Sequence, residues 1–215
     1  MLAPEGRKIL VGLMVVTFVC GVTGYGYEMS YLKVFYYIFG LLFVFSLNFF
    51  RDPKRITPAG ENLLIAPADG KVVLVKDVDD DVVGKAKQVS IFLNVFNVHS
   101  NKMPIGGVVE SVDYKKGEFK AAFDHSASDV NEQAIVVLSR GNQKIKIKQI
   151  AGLIARRIHC YAKVGSTVKT GERFGFIMFG SRTDLIVPFN SEVNIKVGNK
   201  VTGGMTIIGH FSPRI

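Results

Sequence analysis

Two unbroken apolar runs stand near the start of the chain, "ILVGLMVVTFVCGVTGY" over residues 9–25 and "YLKVFYYIFGLLFVFSLNFF" over residues 31–50, with Lys33 the only charge in either. At 1.5 Å per residue the second is long enough for a hydrocarbon layer of about 30 Å, and the first just long enough. Neither carries the apolar stripe at helical spacing expected of a core helix in a soluble domain. A secretory signal would need a small-residue cleavage pattern after the first run, and "GYGYEMSYLKVF" offers none before the second begins. The expectation is a helical hairpin that either spans the membrane or dips into one leaflet.

Charge orients it. Arg7 and Lys8 precede the first run, Arg51, Lys54 and Arg55 follow the second, and the connection carries Glu28 with no Lys or Arg. The positive-inside rule then places both ends, and the rest of the chain, on the cytoplasmic side of the inner membrane. Tyr25, Tyr27, Tyr31, Phe49 and Phe50 lie near the run ends, where aromatic rings favour the headgroup level. Residues 1–55 hold six Lys or Arg against three acids, and residues 56–215 hold 21 against 15. That balance suits an anionic lipid surface, although a solvated basic face would count the same. No Lys/Arg cluster interleaved with aromatics occurs, so nucleic acid is not an expected partner. Cys20 and Cys160 are far apart in sequence and imply no disulfide framework, as in a reducing compartment.

After "RDPKRITPAGENLLIAPADG" the pattern changes. Short β-branched or alternating runs such as "GKVVLVKDV", "QVSIFLNVF", "AIVVLSR", "KIKIKQIAG", "RFGFIMF" and "DLIVPF" follow one another, separated by Gly, Asp, Asn and Ser. Two domains are expected: the membrane hairpin, residues 1–55, and a compact antiparallel β barrel or sandwich, residues 56–215. The fold class is mainly β (α+β), with one short helix near residues 127–133. "YAKVGSTVKTGERFGFI" resembles the glycine-punctuated strands of biotinyl and lipoyl carriers, giving a barrel-sandwich flavour. It has no lysine at the hairpin where such carriers are modified.

Candidate chemistry sits at four places. The histidines, His99, His125, His159 and His210, fall in no zinc-binding array, so no metal is expected. "IFLNVFNVHSNKMPIGG" reads as a strand ending in polar residues, with alternation putting Asn97, His99 and Asn101 on one side and Lys102 next to them. A solvated loop histidine would look the same. Asp69 in "APADGKV" either caps a turn or orients a histidine, fixing its tautomer for base catalysis. Finally, "GFIMFGSRTDLIVP" sets Gly180, Ser181 and Arg182 between two apolar runs with none of the usual turn residues. An esterase would want G-x-S-x-G at a strand-to-helix elbow, which this is not. The Gly-Ser bond itself can react instead, if a base activates the hydroxyl and a small preceding residue lets it reach the carbonyl.

Taken in order, "RDPKR", "APADGKV", "FLNVFNVHSNKMPIGG", "ASDVNEQ", "GLIARRI", "GERFGFIMFGSRTDLIVP" and "GGMTIIG" resemble the short bacterial and archaeal form of the phosphatidylserine decarboxylases, over nearly the whole chain. The resemblance implies a proenzyme that cuts itself between Gly180 and Ser181, giving a β chain of residues 1–180 and an α chain of residues 181–215 that stay together. It implies a covalent pyruvoyl cofactor made from Ser181, on which phosphatidylserine forms a Schiff base, loses CO2 and leaves as phosphatidylethanolamine. In this scheme Asp69 orients His99, and His99 deprotonates Ser181. The longer form of the family has a second histidine where this chain has Lys102. Arg182 and Lys102 are the candidates for substrate contact, with an Arg182–Asp184 ion pair the alternative for Arg182. Homo-oligomer formation is left open.

Overall fold

The computed structural model describes residues 1–120, 127–152, 157–178 and 181–213. Gly180 of the expected cleavage bond and His125 lie outside the described residues. The chain divides into two units, Met1–Lys54 and Arg55–Ile215.

In the first unit α1 (Arg7–Gly26) and α2 (Ser30–Phe49) are 20 residues each, about 30 Å and long and apolar enough to cross a membrane. Only Leu10 and Gly24 of α1, and Ser46 and Phe49 of α2, are buried. A core helix of a soluble protein would hide a whole face, so that reading fails. The helices turn tightly: a Cβ on Gly24 would stand 3.0 Å from the Lys33 nitrogen. The polar groups in the apolar stretch satisfy themselves locally. Thr17 and Thr23 donate to the carbonyls of Leu13 and Val19 at 2.7 Å, and the Lys33 ammonium lies 5.1 Å from the Tyr25 ring centroid. Tyr25, Tyr27 and Tyr31 are exposed at the connection, whereas Phe49 and Phe50 are fully buried. Those two phenylalanines are therefore packing residues rather than the interfacial rings that composition suggested.

The second unit is built of strands, with one short helix. In order they are β1 (Leu63–Ile65), β2 (Gly70–Asp80), β3 (Gly84–Leu93), β4 (Ser100–Lys102), β5 (Gly107–Lys115), α3 (Ala127–Val130), β6 (Gln133–Arg140) and β7 (Gln143–Ile150). There follow β8 (Ile158–Cys160), β9 (Thr167–Val168), β10 (Arg173–Ile177), β11 (Ser181–Pro188), β12 (Glu192–Val193), β13 (Lys200–Val201) and β14 (Ile207–His210). Among the described residues the largest sheet is β13-β2-β3-β11-β7-β6-β5-β9, a curled antiparallel half-barrel. Two three-stranded sheets, β1-β14-β12 and β4-β10-β8, accompany it.

Alternation explains the layering. Val89, Ile91 and Leu93 of β3, Leu185 and Val187 of β11, Ile145 and Ile147 of β7, and Val136 and Leu138 of β6 belong to one buried apolar cluster. The register aligns them: Leu185 pairs with Val89 and Ile147, and Ile147 with Val136. By the period-2 rule Ser181 and Thr183 point to this same side, and Arg182 and Asp184 to the other. The chain also changes sheets just before Ser181, since Ile177 belongs to the β4-β10-β8 sheet and Ser181 to the large one. A change of sheet, not a hairpin, accounts for the missing turn residues.

Candidate active site

Ser181 opens β11 opposite Leu93, the last residue of β3. Its side chain is fully buried, and its Oγ has no hydrogen-bond partner among the described residues. An unpartnered buried hydroxyl costs about 1–3 kcal/mol, a cost that the hydrogen-bonded polar groups of the same strand do not carry.

His99 lies close along the chain path. The Ile177 amide donates to the His99 carbonyl at 3.2 Å, and four residues further on β10's chain has become Ser181. The histidine is fully buried, which removes the solvated-loop reading. Its Nδ1 is 2.9 Å from the carbonyl oxygen of Asn97. A carbonyl only accepts, so Nδ1 carries the proton and, in the neutral ring, Nε2 carries the lone pair of a base. The ring stands 6.2 Å from that of Phe176, centroid to centroid.

The loop behind this contact corrects the expectation that residues 97, 99 and 101 alternate along one strand. β3 stops at Leu93 and the next four residues form a turn, in which the Asn97 amide donates to the Asn94 carbonyl at 3.0 Å. The Asn94 amide donates to the Asn97 side-chain oxygen, and the Phe96 amide to that of Asn94, both at 2.9 Å. Thus the backbone of Asn97, not its side chain, meets the imidazole.

The expected contact between Asp69 and His99 is not formed among the described residues. Asp69 instead pairs through both carboxylate oxygens with Arg55, with Arg55 Nη2 2.9 Å from Oδ2, and accepts the Gly203 amide at 2.8 Å. Arg55 Nη1 also donates to the Gly203 carbonyl at 2.7 Å. The turn thus anchored still borders the site, because the Lys102 amide donates to the Pro67 carbonyl at 2.8 Å.

Arg182 takes the ion-pair alternative. Fully buried on the reverse face of β11, its Nε donates to Asp184 Oδ1 at 2.6 Å and its Nη2 to Ser90 Oγ at 2.7 Å. Asp184 Oδ2 accepts further from Gln88 Nε2 at 2.9 Å and from the Ser128 hydroxyl of α3. Lys102 is partly exposed at the end of β4, opposite Arg173 of β10. Burial pushes the Cys160 thiol of β8 above its usual range.

Sequence reasoning missed a buried amide chain on the core side. Asn101 Nδ2 donates to Thr183 Oγ1 at 3.0 Å, and Gln149 Nε2 donates to Asn101 Oδ1 at 2.8 Å. A signal existed: Gln149 is in phase with the inward-facing Ile145 and Ile147, so an amide was bound to point into the core.

A sequence model of the phosphatidylserine decarboxylase family matches residues 42–209. Phosphatidylserine decarboxylase proenzyme of Ralstonia nicotianae is 42% identical over 213 residues, covering 98% of this chain and 95% of that protein. The proteins of the same name from Desulfotalea psychrophila and Polynucleobacter asymbioticus are 43% and 45% identical, over 83% and 80% of this chain and 85% and 80% of their own. The chain belongs to the phosphatidylserine decarboxylase family. It is accordingly a carboxy-lyase, of a kind whose relatives are named as proenzymes.

Proposed function

We propose that this chain is a self-processing, pyruvoyl-dependent enzyme that converts phosphatidylserine to phosphatidylethanolamine and CO2 at the membrane surface, in phospholipid biosynthesis. The observation that carries the proposal is the buried Ser181 hydroxyl at the head of a central strand, unpartnered among the described residues, with a buried, tautomer-fixed histidine whose carbonyl accepts the Ile177 amide four residues before Ser181.

In self-cleavage Ser181 Oγ–H gives its proton to His99 Nε2 and the oxygen adds to the Gly180 carbonyl carbon. The peptide C–N bond breaks as the ester C–O bond remains, and the released nitrogen takes up a proton. Loss of the Ser181 Cα proton then expels Gly180 as a carboxylate and leaves a dehydroalanine. Its enamine adds water and releases ammonia, which yields the pyruvoyl group. Once formed, that group would supply a ketone for the substrate amine and a neighbouring carbonyl as electron sink for the decarboxylation. His99 returns a proton to the carbon that lost the carboxylate.

The remaining residues have supporting parts. Asp69 acts at one remove, holding Arg55 and the Gly203 amide and so the turn on which Lys102 docks, three residues from His99. Of the two candidates for substrate contact, Lys102 is the one with an exposed portion, and we place it toward the anionic headgroup. After cleavage β11 keeps the two chains together, since it is paired with β3 from Ser181 to Pro188 and with β7 from Arg182 to Ile186. The helical hairpin holds the enzyme at the bilayer, with the catalytic unit on the cytoplasmic side, and raises its effective concentration at the lipid.

Intact mass under denaturing conditions tests this, on the purified chain beside Ser181→Ala. Two pieces, residues 1–180 and a 181–215 fragment lighter by ammonia than a serine-initiated peptide, are expected from the former and one uncut chain from the latter. A single uncut chain in both would sink the proposal.

A further inference from the structure

The amide chain on the core side of β11 joins elements that the proposed chemistry needs in register. β4 and β10 are antiparallel, with Phe176 opposite Ser100, so His99 is level with Ile177 at the end of β10 that leads into Ser181. Asn101, inside β4, is two residues beyond His99 in the chain, and Thr183 is one strand repeat beyond Ser181 on β11. Side chains two apart share a face and are roughly 6.6 Å apart along a strand. The 3.0 Å hydrogen bond from Asn101 to Thr183 therefore ties β11, which Ser181 opens, to β4, which begins one residue after His99.

The third member locks the first. Gln149 Nε2 donates to Asn101 Oδ1 at 2.8 Å, so the Asn101 oxygen faces β7 and its NH2 must face Thr183. Gln149 is itself held beneath β10, its Nε2 3.3 Å from the His159 carbonyl. The fit is close enough that a Cβ on Gly175 would come within 2.4 Å of that Nε2 and 2.5 Å of the His159 oxygen.

Stability does not call for this arrangement. Asn101, Gln149 and Thr183 are fully buried, and Thr183 lies between Ser181 and Leu185 on a face that is otherwise apolar. Well-packed apolar residues of the same shape would serve a core as well as hydrogen-bonded amides do. Gln149 Oε1 is moreover buried with no partner among the described residues, an avoidable cost in a purely structural contact. What hydrogen bonds add over apolar packing is direction.

We propose that Asn101, set by Gln149 and bonded to Thr183, is a positioning residue that fixes His99 against the Ser181 hydroxyl for self-cleavage. The inference rests on the roles given above to Ser181 and His99. Because Thr183 lies on the C-terminal side of the cut, the same bond continues to align the two chains afterwards.

The test follows self-cleavage of the full chain synthesised in the presence of detergent micelles, with thermal unfolding measured on each variant in parallel. Thr183→Val keeps the shape and removes the acceptor, and it is expected to slow cleavage by roughly 10²-fold, the scale of a misplacement of about 1 Å. Thr183→Ser keeps the hydroxyl and should restore most of the rate. Asn101→Ala combined with Thr183→Val should be no slower than the slower single variant, since both remove one bond. If Thr183→Val does not fold, Gln149→Leu reads the same chain one bond back, with slow cleavage supporting the inference and an unaltered rate overturning it. Folded Thr183→Val that cleaves as fast as the unaltered chain, or Thr183→Ser as slow as Thr183→Val, would also overturn it. Failure of the underlying reading looks different, since then the unaltered chain stays uncut or Ser181→Ala is cut.

Discussion

Two polar residues at the head of β11, Ser181 on the core face and Arg182 on the reverse face, are held in opposite states. On the core side the Ser181 hydroxyl is buried with no partner among the described residues. One residue on, and on the reverse side, Arg182 and Asp184 are equally buried but heavily bonded, with Asp184 accepting from Arg182, Gln88 and Ser128. The difference teaches how one strand can be a scaffold and still carry the residue to which the proposal assigns the chemistry. Ladder bonds to β3 and β7, together with the ion pair, fix the backbone in place, and against that fixed frame the Ser181 hydroxyl has no partner among the described residues.

Breaking the reverse face should have the largest effect on stability. Asp184→Ala takes this carboxylate from the Arg182 guanidinium, which is 0% exposed, and is expected to cost about 3–5 kcal/mol. Urea unfolding in the uncut Ser181→Ala background measures this on one homogeneous species. Replacing both partners, Arg182→Met with Asp184→Leu, should recover most of the loss, because the penalty comes from the orphaned charge rather than from the missing attraction. A double variant as unstable as Asp184→Ala would mean that the pair is needed as a pair, and the contrast between the faces would sharpen.

Next in size is Gly175→Ala, which probes the core side without removing a polar atom. The new methyl would meet the Gln149 amide at 2.4 Å and the His159 carbonyl at 2.5 Å, so β10 or the amide must shift. Overpacking of this sort costs about 1–3 kcal/mol. If Gln149 orients Asn101 as inferred, self-cleavage should slow by more than the loss of stability explains, which parallel unfolding and cleavage measurements would separate.

What could be read in advance divides along the same line. The apolar hairpin was legible because length and lack of charge are local properties, and the β runs because alternation is local too. The place of Ser181 at the junction of two apolar strand runs was legible from its neighbours, because such runs are read locally. Asn97 was misassigned because alternation assumes a continuous strand, and the side-chain bonds of Asn94 and Asn97 break it into a turn. Asp69 was given the wrong neighbour for a different reason. Its partners, Arg55 and Gly203, are 14 and 134 positions away, and no local pattern distinguishes an aspartate that meets a histidine from one that meets an arginine. Gln149 was legible in phase but not in role, since its meaning depends on a strand from another sheet.

The smallest expected effect concerns one lysine with two carboxylates. Lys146, 4% exposed on the reverse face of β7, pairs with Asp80, whose side chain is 8% exposed, and with Asp81, whose side chain is 83% exposed. Removing Asp80 should cost more than removing Asp81, because only the first loss leaves the ammonium without its buried partner. The Lys146 hydrogen bond and charge hold the Asp81 carboxyl below its ordinary value of 3.8. A lowered pKa means that the folded state favours the ionised form, so the contribution is complete above pH 3.8 and is lost as pH falls through the folded value. Asp81→Asn should therefore be less stable than the unaltered chain at neutral pH, by no more than about 1 kcal/mol for so exposed a pair. Unfolding curves of the two should converge as pH drops below 3.8. A difference that persisted at lower pH would show that Asp81 acts through its shape or its backbone, and the exposed arm of the pair would then belong with the scaffold rather than with solvent.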